Sequence, residues 1–364
     1  MSQQQNPAPV AFGKATRRAT PLLVGLFSPA GCGKTYSALR LAEGMRRITG
    51  GRIKVIDTEG KRALHYAPLE GMAPAPGQFD FDYFEFRPPY SSLRFLEALR
   101  EANKTPGPIV VDSLSHEHTG EGGYLDLHDD EVKRLCASGG FKSPYAANFP
   151  AYAVPARNRS KLVQGIVTMG LNAVFCFRAK DRSEMVKDGD DRTKIKELGW
   201  MPIAGEEFLF EMTVLALLDP RLPRGTPNWN PELPGEALRT KLPWFLKEYL
   251  NDPKNPKQLN EETGEKLAAW ASGRATEPPT VAEYQAVADR DEFARLEKRR
   301  GEWWNTLKPD AKAALKPAAD AAKARVEAMP KSPPPPPPAA RPDENLDAEP
   351  PEEPYGTGDP SLER

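Results

Sequence analysis

The sequence has few cysteines and no long apolar run. Its 364 residues include three cysteines, and Cys32, Cys136 and Cys176 lack the paired spacing of a disulfide framework or a zinc cluster. No window approaches the roughly 18 apolar residues that cross a membrane, and the first residues lack the apolar core of a secretory signal. We therefore expect a reduced, soluble protein of the cytoplasm.

Charge of either sign is not in large excess. The formal net charge is -1, but it averages over regions of different charge, so it excludes no class of partner. Domains commonly run to about 100 to 200 residues, and α/β domains somewhat longer. The chain therefore has room for one large α/β domain and a smaller region.

One stretch near the N-terminus has the order strand, glycine-rich turn and helix. An apolar run at 22–27 predicts a buried strand, and residues 36–45 after the turn have the apolar spacing of a helix. A phosphate-binding loop, G-x-x-x-x-G-K-[ST], needs this context, because Lys34 then reaches the β- and γ-phosphates and the Thr35 hydroxyl binds Mg²⁺. Ser28 replaces the first glycine of the pattern, and serine is small enough for the turn to close. The predicted nucleotide-binding residues are Ser28, Pro29, Ala30, Gly31, Cys32, Gly33, Lys34, Thr35 and Tyr36.

Two carboxylates follow predicted strands, at the positions where open α/β sheets bind ligands. Asp112 ends the run Pro-Ile-Val-Val and matches the Walker B pattern, in which the carboxylate holds Mg²⁺ together with Thr35. Glu59 follows the second predicted strand, where its carboxylate can polarise the attacking water. Alternatively, Asp57 or Glu59 only caps the next turn.

Two basic residues follow the strand predicted at 171–177. Arg178 and Lys180 can neutralise a γ-phosphate there, or they can begin a basic surface. A β-hairpin is predicted at 183–198, because the chain alternates on both sides of Asp188-Gly189.

These motifs resemble a known family. V-I-D-T-E-G at 55–60 and I-V-V-D-S at 109–113 resemble the core of RecA-like recombinases. The loop sequence S-P-A-G-C-G-K-T-Y-S-A-L-R-L-A, D-S-L-S-H-E with its trailing G-E-G-G, and F-R-A-K are similar to phage and prophage ATP-binding proteins of the AAA/RecA-like type. The resemblance implies ATP as the nucleotide, Glu59 as general base, a homo-oligomer, and a bacterial or phage-infected cell.

The resemblance also implies a DNA-contacting loop after the strand 171–177, at the predicted hairpin. Residues 151–200 carry ten basic and six acidic side chains, a formal balance of +4, which suits phosphate contacts. A solvated hairpin is the alternative, since its tip is acidic. The run 293–308 also mixes basic and aromatic residues, which suits either stacking on single strands or helix packing.

The predicted fold is a mostly parallel RecA-like P-loop sheet covered by helices, because strands alternate with helices. Further predicted elements are an edge strand at 81–86, an amphipathic helix at 91–103 with Leu93, Leu96 and Leu99 on its apolar face, loops at 113–123 and 139–155, a helix at 156–169, a strand at 208–218, and helices at 244–250, 261–271 and 281–307. The predicted regions are a flexible arm at 1–20, the ATPase domain at 21–220, a Pro-rich connection at 221–258, a helical C-terminal region at 259–329 and a disordered, acidic, Pro-rich tail at 330–364.

We therefore predict a Mg²⁺-dependent P-loop ATPase of phage or prophage DNA recombination or replication, acting on single-stranded DNA. The acidic tail is a candidate binding segment for replication or recombination proteins. Two alternatives stay open: a P-loop phosphotransferase acting on a small molecule, and a nucleotide-dependent scaffold without turnover.

Overall fold

The computed structural model describes residues 12, 14–15, 19–187, 193–237, 239–250, 256–273, 279–304, 307 and 309–329. Internal contacts divide the chain into two compact units, Met1–Glu277 and Pro278–Arg364. Most of the predicted arm, the hairpin tip at 188–192 and the acidic tail at 330–364 lie outside the described residues, so the expectations for them stay predictions.

The first unit alternates strands and helices along the chain. Its described strands are β1 (Leu22–Ser28), β2 (Ile53–Asp57), β3 (Phe81–Glu85), β4 (Ile109–Asp112), β5 (Asn172–Lys187), β6 (Thr193–Pro202), β7 (Val214–Leu218) and β8 (Pro227–Asn228). Its described helices are α1 (Lys34–Thr49), α2 (Ser92–Ala102), α3 (Ser115–Thr119), α4 (Tyr124–Ala137), α5 (Pro144–Ala151), α6 (Ala153–Thr168), α7 (Glu206–Glu211), α8 (Pro234–Ala237), α9 (Lys247–Leu250) and α10 (Glu261–Ala271), with 3₁₀ turns at Arg62–Tyr66 and Trp244–Leu246.

The described strands form one mostly parallel sheet. Its order is β3-β2-β4-β5-β1-β7-β8, and β6 pairs with the far end of β5. Neighbours from β3 to β7 are parallel, whereas β8 and β6 are antiparallel to β7 and β5. Every residue of β1, β2, β4 and β7 is buried, as expected when helices cover both faces. The predicted α/β fold class is thus confirmed.

Both faces of the sheet carry a hydrophobic core. Leu22, Val24 and Leu26 of β1 belong to the core that includes α1 and α10. Leu23 and Phe27 belong to the opposite core, which includes α2, α6 and α7. Successive side chains of a strand point to opposite faces, so one apolar strand contributes to both cores.

Helix α10 packs closely against α1. A Cβ built on Gly44 would lie 1.9 Å from the carbonyl oxygen of Glu261, and one on Gly264 would lie 2.2 Å from that of Leu41. Glycine is therefore needed at both positions for this approach of the two backbones. Arg40 also donates to Glu261, with Nη2–Oε2 at 2.7 Å. The first unit consequently extends beyond the boundary predicted at residue 220 and includes α10.

The single strand predicted at 208–218 is wrong. Residues 206–211 form α7, and β7 begins at Val214. Phe208 and Leu209 of the helix are buried in the same core as β7. Both elements therefore need apolar residues, and the apolar run continues through the change from helix to strand. A short apolar run does not distinguish a strand from a buried helix.

The loop predicted at 139–155 is also wrong, because it contains α5 and the start of α6. The Ser143 hydroxyl oxygen accepts a hydrogen bond from the Ala146 N–H at 3.3 Å. Pro144 occupies the first turn, where a helix needs no N–H donor. The loop predicted at 113–123 likewise contains the short helix α3.

The helix predicted at 91–103 is confirmed as α2, and Ser91 is its N-cap. Leu96 and Leu99 are buried as predicted, but Leu93 is 42% exposed. Phe95 lies on the buried face instead, because positions 95, 96 and 99 share one side of a helix. The edge strand and the described part of the hairpin are confirmed as β3 and as β5 with β6.

The second unit is helical where it is described. The run predicted at 281–307 is divided into α11 (Val281–Ala286) and α12 (Arg290–Trp303), and α13 (Pro309–Ala328) follows. The break has a cause, since Asp289 accepts the Glu292 N–H at 2.7 Å and begins a new helix. The three helices enclose a core that includes Tyr284, Leu296 and Val326.

Several basic and aromatic side chains of the run at 293–308 form contacts within this second unit. Phe293 packs against the core, and Arg299 and Arg300 form ion pairs with Glu283 and Glu297, each at 2.5 Å.

Among the described residues of the whole chain, no helix combines the length and the apolar character needed to cross a membrane.

Candidate functional site

The sheet register brings the predicted site residues to one edge. Ser28, the last residue of β1, is opposite Arg178 of β5. Asp112, the last residue of β4, is opposite Cys176 of β5 and also opposite Asp57 of β2. Since these strands are parallel, their carboxyl ends form a row, which is where ligands bind in open α/β sheets.

The predicted phosphate-binding loop joins β1 to α1. Gly31 and Gly33 have positive φ angles of 82° and 87°, which L side chains rarely adopt. Gly33 is also the N-cap of α1, and glycine has no side chain that could accept a hydrogen bond from the first-turn N–H groups. The start of this 16-residue helix can therefore bind an anion, because its free N–H groups carry partial positive charge.

Lys34 folds back over the loop. Its Nζ donates to the carbonyl oxygens of Ser28 and Pro29 at 3.0 and 2.9 Å, and to the Ser28 hydroxyl at 3.0 Å. The serine that replaces the first glycine of the pattern thus supplies a hydrogen-bond partner for Lys34. Burial lowers the pKa of Lys34, although neighbouring acidic groups act in the opposite direction.

Thr35 and Asp112 meet beside the loop. The Thr35 hydroxyl donates a short hydrogen bond to the Asp112 carboxylate. Asp112 is 2% exposed, and burial raises its pKa to about 6, partly offset by the bond from Thr35 and the charge of Lys34. A hydroxyl and a buried carboxylate are hard oxygen ligands of the kind that Mg²⁺ prefers, so this pair fits the predicted metal.

Glu59 is held by Arg178 in a bidentate ion pair. The distances are 2.7 Å from Arg178 Nε to Oε1 and 2.6 Å from Nη2 to Oε2. The Glu59 side chain is 8% exposed. Burial alone would raise its pKa, but the hydrogen bonds and charge of Arg178 outweigh burial and keep the pKa below its usual value. Glu59 is therefore an ionised acceptor in this structure.

Asp57, the other acid of the V-I-D-T-E-G motif, accepts hydrogen bonds from two backbone N–H groups. Its Oδ1 accepts the Glu59 N–H at 2.6 Å, and its Oδ2 accepts the Ala63 N–H at 3.1 Å. Asp57 therefore caps the turn after β2, and this turn places the Glu59 side chain toward Arg178.

A single cavity of about 1100 Å³ contains most of the predicted residues. The predicted residues that line it are Ala30, Gly31, Gly33, Lys34, Thr35, Tyr36, Glu59, Asp112, Arg178 and Lys180. Ser28 and Pro29 contact Lys34 without lining the cavity, and Cys32 packs in the core beneath the loop.

Several lining residues were not predicted, because they come from the Pro-rich connection predicted at 221–258 and from the first residue of the helical region predicted at 259–329. Arg224, Gly225, Gln258 and Leu259 form one wall of the cavity. The Gly225 N–H donates to the carbonyl oxygen of Cys32 at 2.9 Å, so this wall lies directly against the predicted phosphate-binding loop. No local sequence pattern marks these residues as part of a site.

The hairpin continues from the site strand. In its described part, residues 183–186 and 193–197 are exposed or partly exposed. Arg178, at the start of this extension, donates its backbone N–H to Ser115 Oγ at 2.8 Å. Of the ten basic residues counted at 151–200, Arg159 is 4% exposed and ion-paired with Glu117 at 2.8 Å, so it is not available to DNA.

The histidines near the site are dispersed. His116 bonds Thr58 at 2.6 Å, His118 bonds Arg159 at 2.9 Å, and His128 bonds the Asn148 carbonyl oxygen at 3.0 Å. Within the described part of the chain, no three His, Cys, Asp or Glu side chains form a metal-binding group. The Thr35–Asp112 pair is thus the candidate metal position at this edge.

The chain was compared with protein-family models and with curated proteins. No family model matches it, and no curated protein matches it. The residues and geometry of the site itself are therefore the basis for inferring its function.

Proposed function

We propose that this protein binds MgATP at the carboxyl edge of its sheet and hydrolyses it to ADP and phosphate. One observation carries the proposal: a helix N-terminus with a lysine, a hydroxyl–carboxylate pair and an arginine-held glutamate line one cavity. These are the groups that phosphoryl transfer requires, since it depends on positioning and on stabilisation of negative charge.

The loop and Lys34 would bind the triphosphate. The first-turn N–H groups of α1 supply donors, and Lys34 exchanges its present carbonyl partners for phosphate oxygens. The exchange is favourable, because the phosphate oxygens belong to a negatively charged group whereas the carbonyl groups of Ser28 and Pro29 are neutral.

Thr35 and Asp112 would hold Mg²⁺. The bound ion would neutralise phosphate charge and draw the Asp112 carboxyl into its ionised form. Asp112 is suited to this role because it is almost fully buried and has no arginine partner in the described structure.

Glu59 would orient the attacking water and accept its proton. In the present structure each of its two oxygens accepts a hydrogen bond from Arg178, so the ion pair competes with a water for this carboxylate. A γ-phosphate within reach competes for the guanidinium, because a phosphate accepts a bidentate arginine as well as a carboxylate does. Transfer of Arg178 to the γ-phosphate would free Glu59 for the water, so ATP itself would complete the site.

We further propose that single-stranded DNA regulates turnover through the hairpin, in recombination or replication of phage or prophage DNA. The support is the family resemblance and the course of β5, which carries Arg178 at the site and continues into the exposed hairpin. The described hairpin includes Lys180, Arg182, Lys194 and Lys196, and basic side chains on an extended strand suit phosphate contacts. We also propose a homo-oligomer, because the resemblance to RecA-like proteins implies one.

The test is ATP turnover by the purified protein with and without single-stranded DNA. Lys34→Ala should abolish nucleotide binding, and Glu59→Gln should retain binding but lower kcat at least about a hundredfold, the usual contribution of a general base. Lys133→Ala and Glu101→Gln, on exposed positions of α4 and α2, are matched controls and should behave as wild type.

The outcomes separate the alternatives. Turnover that rises with DNA and is lost in both site variants supports the whole proposal. Turnover that ignores DNA contradicts its DNA part, and nucleotide binding without turnover favours the scaffold. A phosphorylated small molecule as product favours the phosphotransferase.

A further inference from the structure

We infer that the cavity wall formed by Arg224, Gly225, Gln258 and Leu259 binds the base of the nucleotide and selects adenine over guanine. The inference rests on the proposed function, because it takes the phosphates to lie on the loop between β1 and α1.

The sheet order locates the two ends of the bound nucleotide. Asp112 and Arg178 belong to β4 and β5, on one side of β1, whereas β7 lies on the other side. The γ-phosphate lies at the Mg²⁺ ligands and the attacking water, which is the β4 side. The nucleoside therefore leaves the loop on the β7 side, where the segment after β7 supplies Arg224 and Gly225.

This wall is in direct contact with the loop between β1 and α1. A Cβ on Gly33 would lie 3.2 Å from the Gly225 nitrogen. The Gly225 N–H donates to the loop carbonyl of Cys32, and the Leu259 N–H donates to the Gly225 carbonyl oxygen, each at 2.9 Å. Leu259 is 3% exposed and packs in the core shared with α1. The wall is consequently fixed relative to the phosphates, as a specificity site requires.

Gln258 supplies the chemical discrimination. Its Nε2 donates to the Arg224 carbonyl oxygen at 2.9 Å. Only the NH₂ end of the amide can donate to a carbonyl, so this bond fixes the orientation and leaves Oε1 as the acceptor. The Gln258 side chain is exposed at the cavity.

An acceptor at this position distinguishes the two purines. Adenine carries an amino group at C6, whereas guanine carries a carbonyl oxygen there. Oε1 accepts a hydrogen bond from the amino group and repels the carbonyl oxygen, so one fixed acceptor gives a preference for ATP of about tenfold.

Binding of ATP and GTP, each with Mg²⁺, should be measured calorimetrically on the full chain. We expect wild type to bind ATP about tenfold more tightly than GTP. Gln258→Ala should weaken ATP about fivefold to tenfold and change GTP less than twofold, so the ratio approaches one. Gln258→Lys replaces the acceptor by a donor and should favour GTP. Gln164→Ala, exposed on α6 on the other face of the sheet, should leave the ratio unchanged.

Failure of this inference differs from failure of the proposed function. If both nucleotides bind and Lys34→Ala abolishes binding, but the ratio is the same in wild type and Gln258→Ala, the base-selecting role of Gln258 is overturned while the nucleotide site stands. If wild type binds neither nucleotide, or Lys34→Ala binds both normally, the proposed function fails and this inference fails with it.

Discussion

The contact between α1 and α10 gives a sharp stability prediction, because glycine is needed at its centre. A Cβ on Gly44 would lie 1.9 Å from the Glu261 carbonyl oxygen, whereas ordinary contact begins at 3.4 Å. Gly44→Ala therefore forces the two backbones apart by about 1.5 Å, and a carbonyl within a helix cannot rotate away.

The magnitude follows from two opposing effects. Overpacking of a well-packed core costs about 1 to 3 kcal/mol. We expect the upper end of this range, because the new methyl group would meet a backbone carbonyl oxygen that cannot move aside. Alanine gains about 1 kcal/mol over glycine in a helix interior. We expect a net loss of about 2 kcal/mol, which lowers Tm by about 4 to 8 °C for a unit of this size.

The assay is urea and thermal unfolding followed by far-UV circular dichroism. Gly264→Ala, where a Cβ would lie 2.2 Å from the Leu41 carbonyl oxygen, should behave like Gly44→Ala. Gly165→Ala on α6 is the matched control. Its Cβ would meet the Cδ1 atom of Leu96 at 2.3 Å, and the end of a leucine can move, so a smaller loss is expected. Wild-type or higher stability of Gly44→Ala would refute the close packing of the two helices.

Two further predictions concern ion pairs of the first unit. Arg178→Ala should lower kcat about a hundredfold and weaken ATP binding, because the variant has no guanidinium to bind the γ-phosphate. The acidic limb of its kcat/KM profile should move to higher pH, because the pKa of Glu59 in the free enzyme rises without its ion pair. An unchanged kcat and profile would contradict the proposed exchange of Arg178. The pKa of Glu261 is lowered, because the hydrogen bonds and charge of its partner Arg40 outweigh burial. The ion pair therefore stabilises the folded protein fully above the pKa that Glu261 has in the unfolded chain. This stabilisation is lost as the pH falls through the lower pKa of the folded state. The difference in Tm between wild type and Glu261→Gln should therefore be larger at pH 7 than at pH 3, and a difference independent of pH would argue against an ionised pair.

The sequence alone determined the parts of the site that are local. The strand β1, the glycine turn and α1 are contiguous, so their apolar spacing and the Gly-Lys-Thr motif are sufficient to predict them. Asp112 was also predictable, because it directly follows a buried strand and parallel strands align their carboxyl ends. Where the local pattern was ambiguous, as in the apolar run at 208–218, helix and strand could not be distinguished.

Only the tertiary structure decided which distant groups meet. Glu59 and Arg178 are 119 positions apart, and their pairing depends on the order of β2, β4 and β5 in the sheet. Gln258 and Gly225 reach the cavity because the chain returns to the loop after β7 and then continues into α10. Their hydrogen bonds are to backbone carbonyl groups, which every residue type carries, so no residue pattern records them. Local conformation is set by neighbouring residues, whereas these contacts are set by strand order and helix packing. This is why the loop between β1 and α1 was predicted and the wall that includes Gly225 and Gln258 was not.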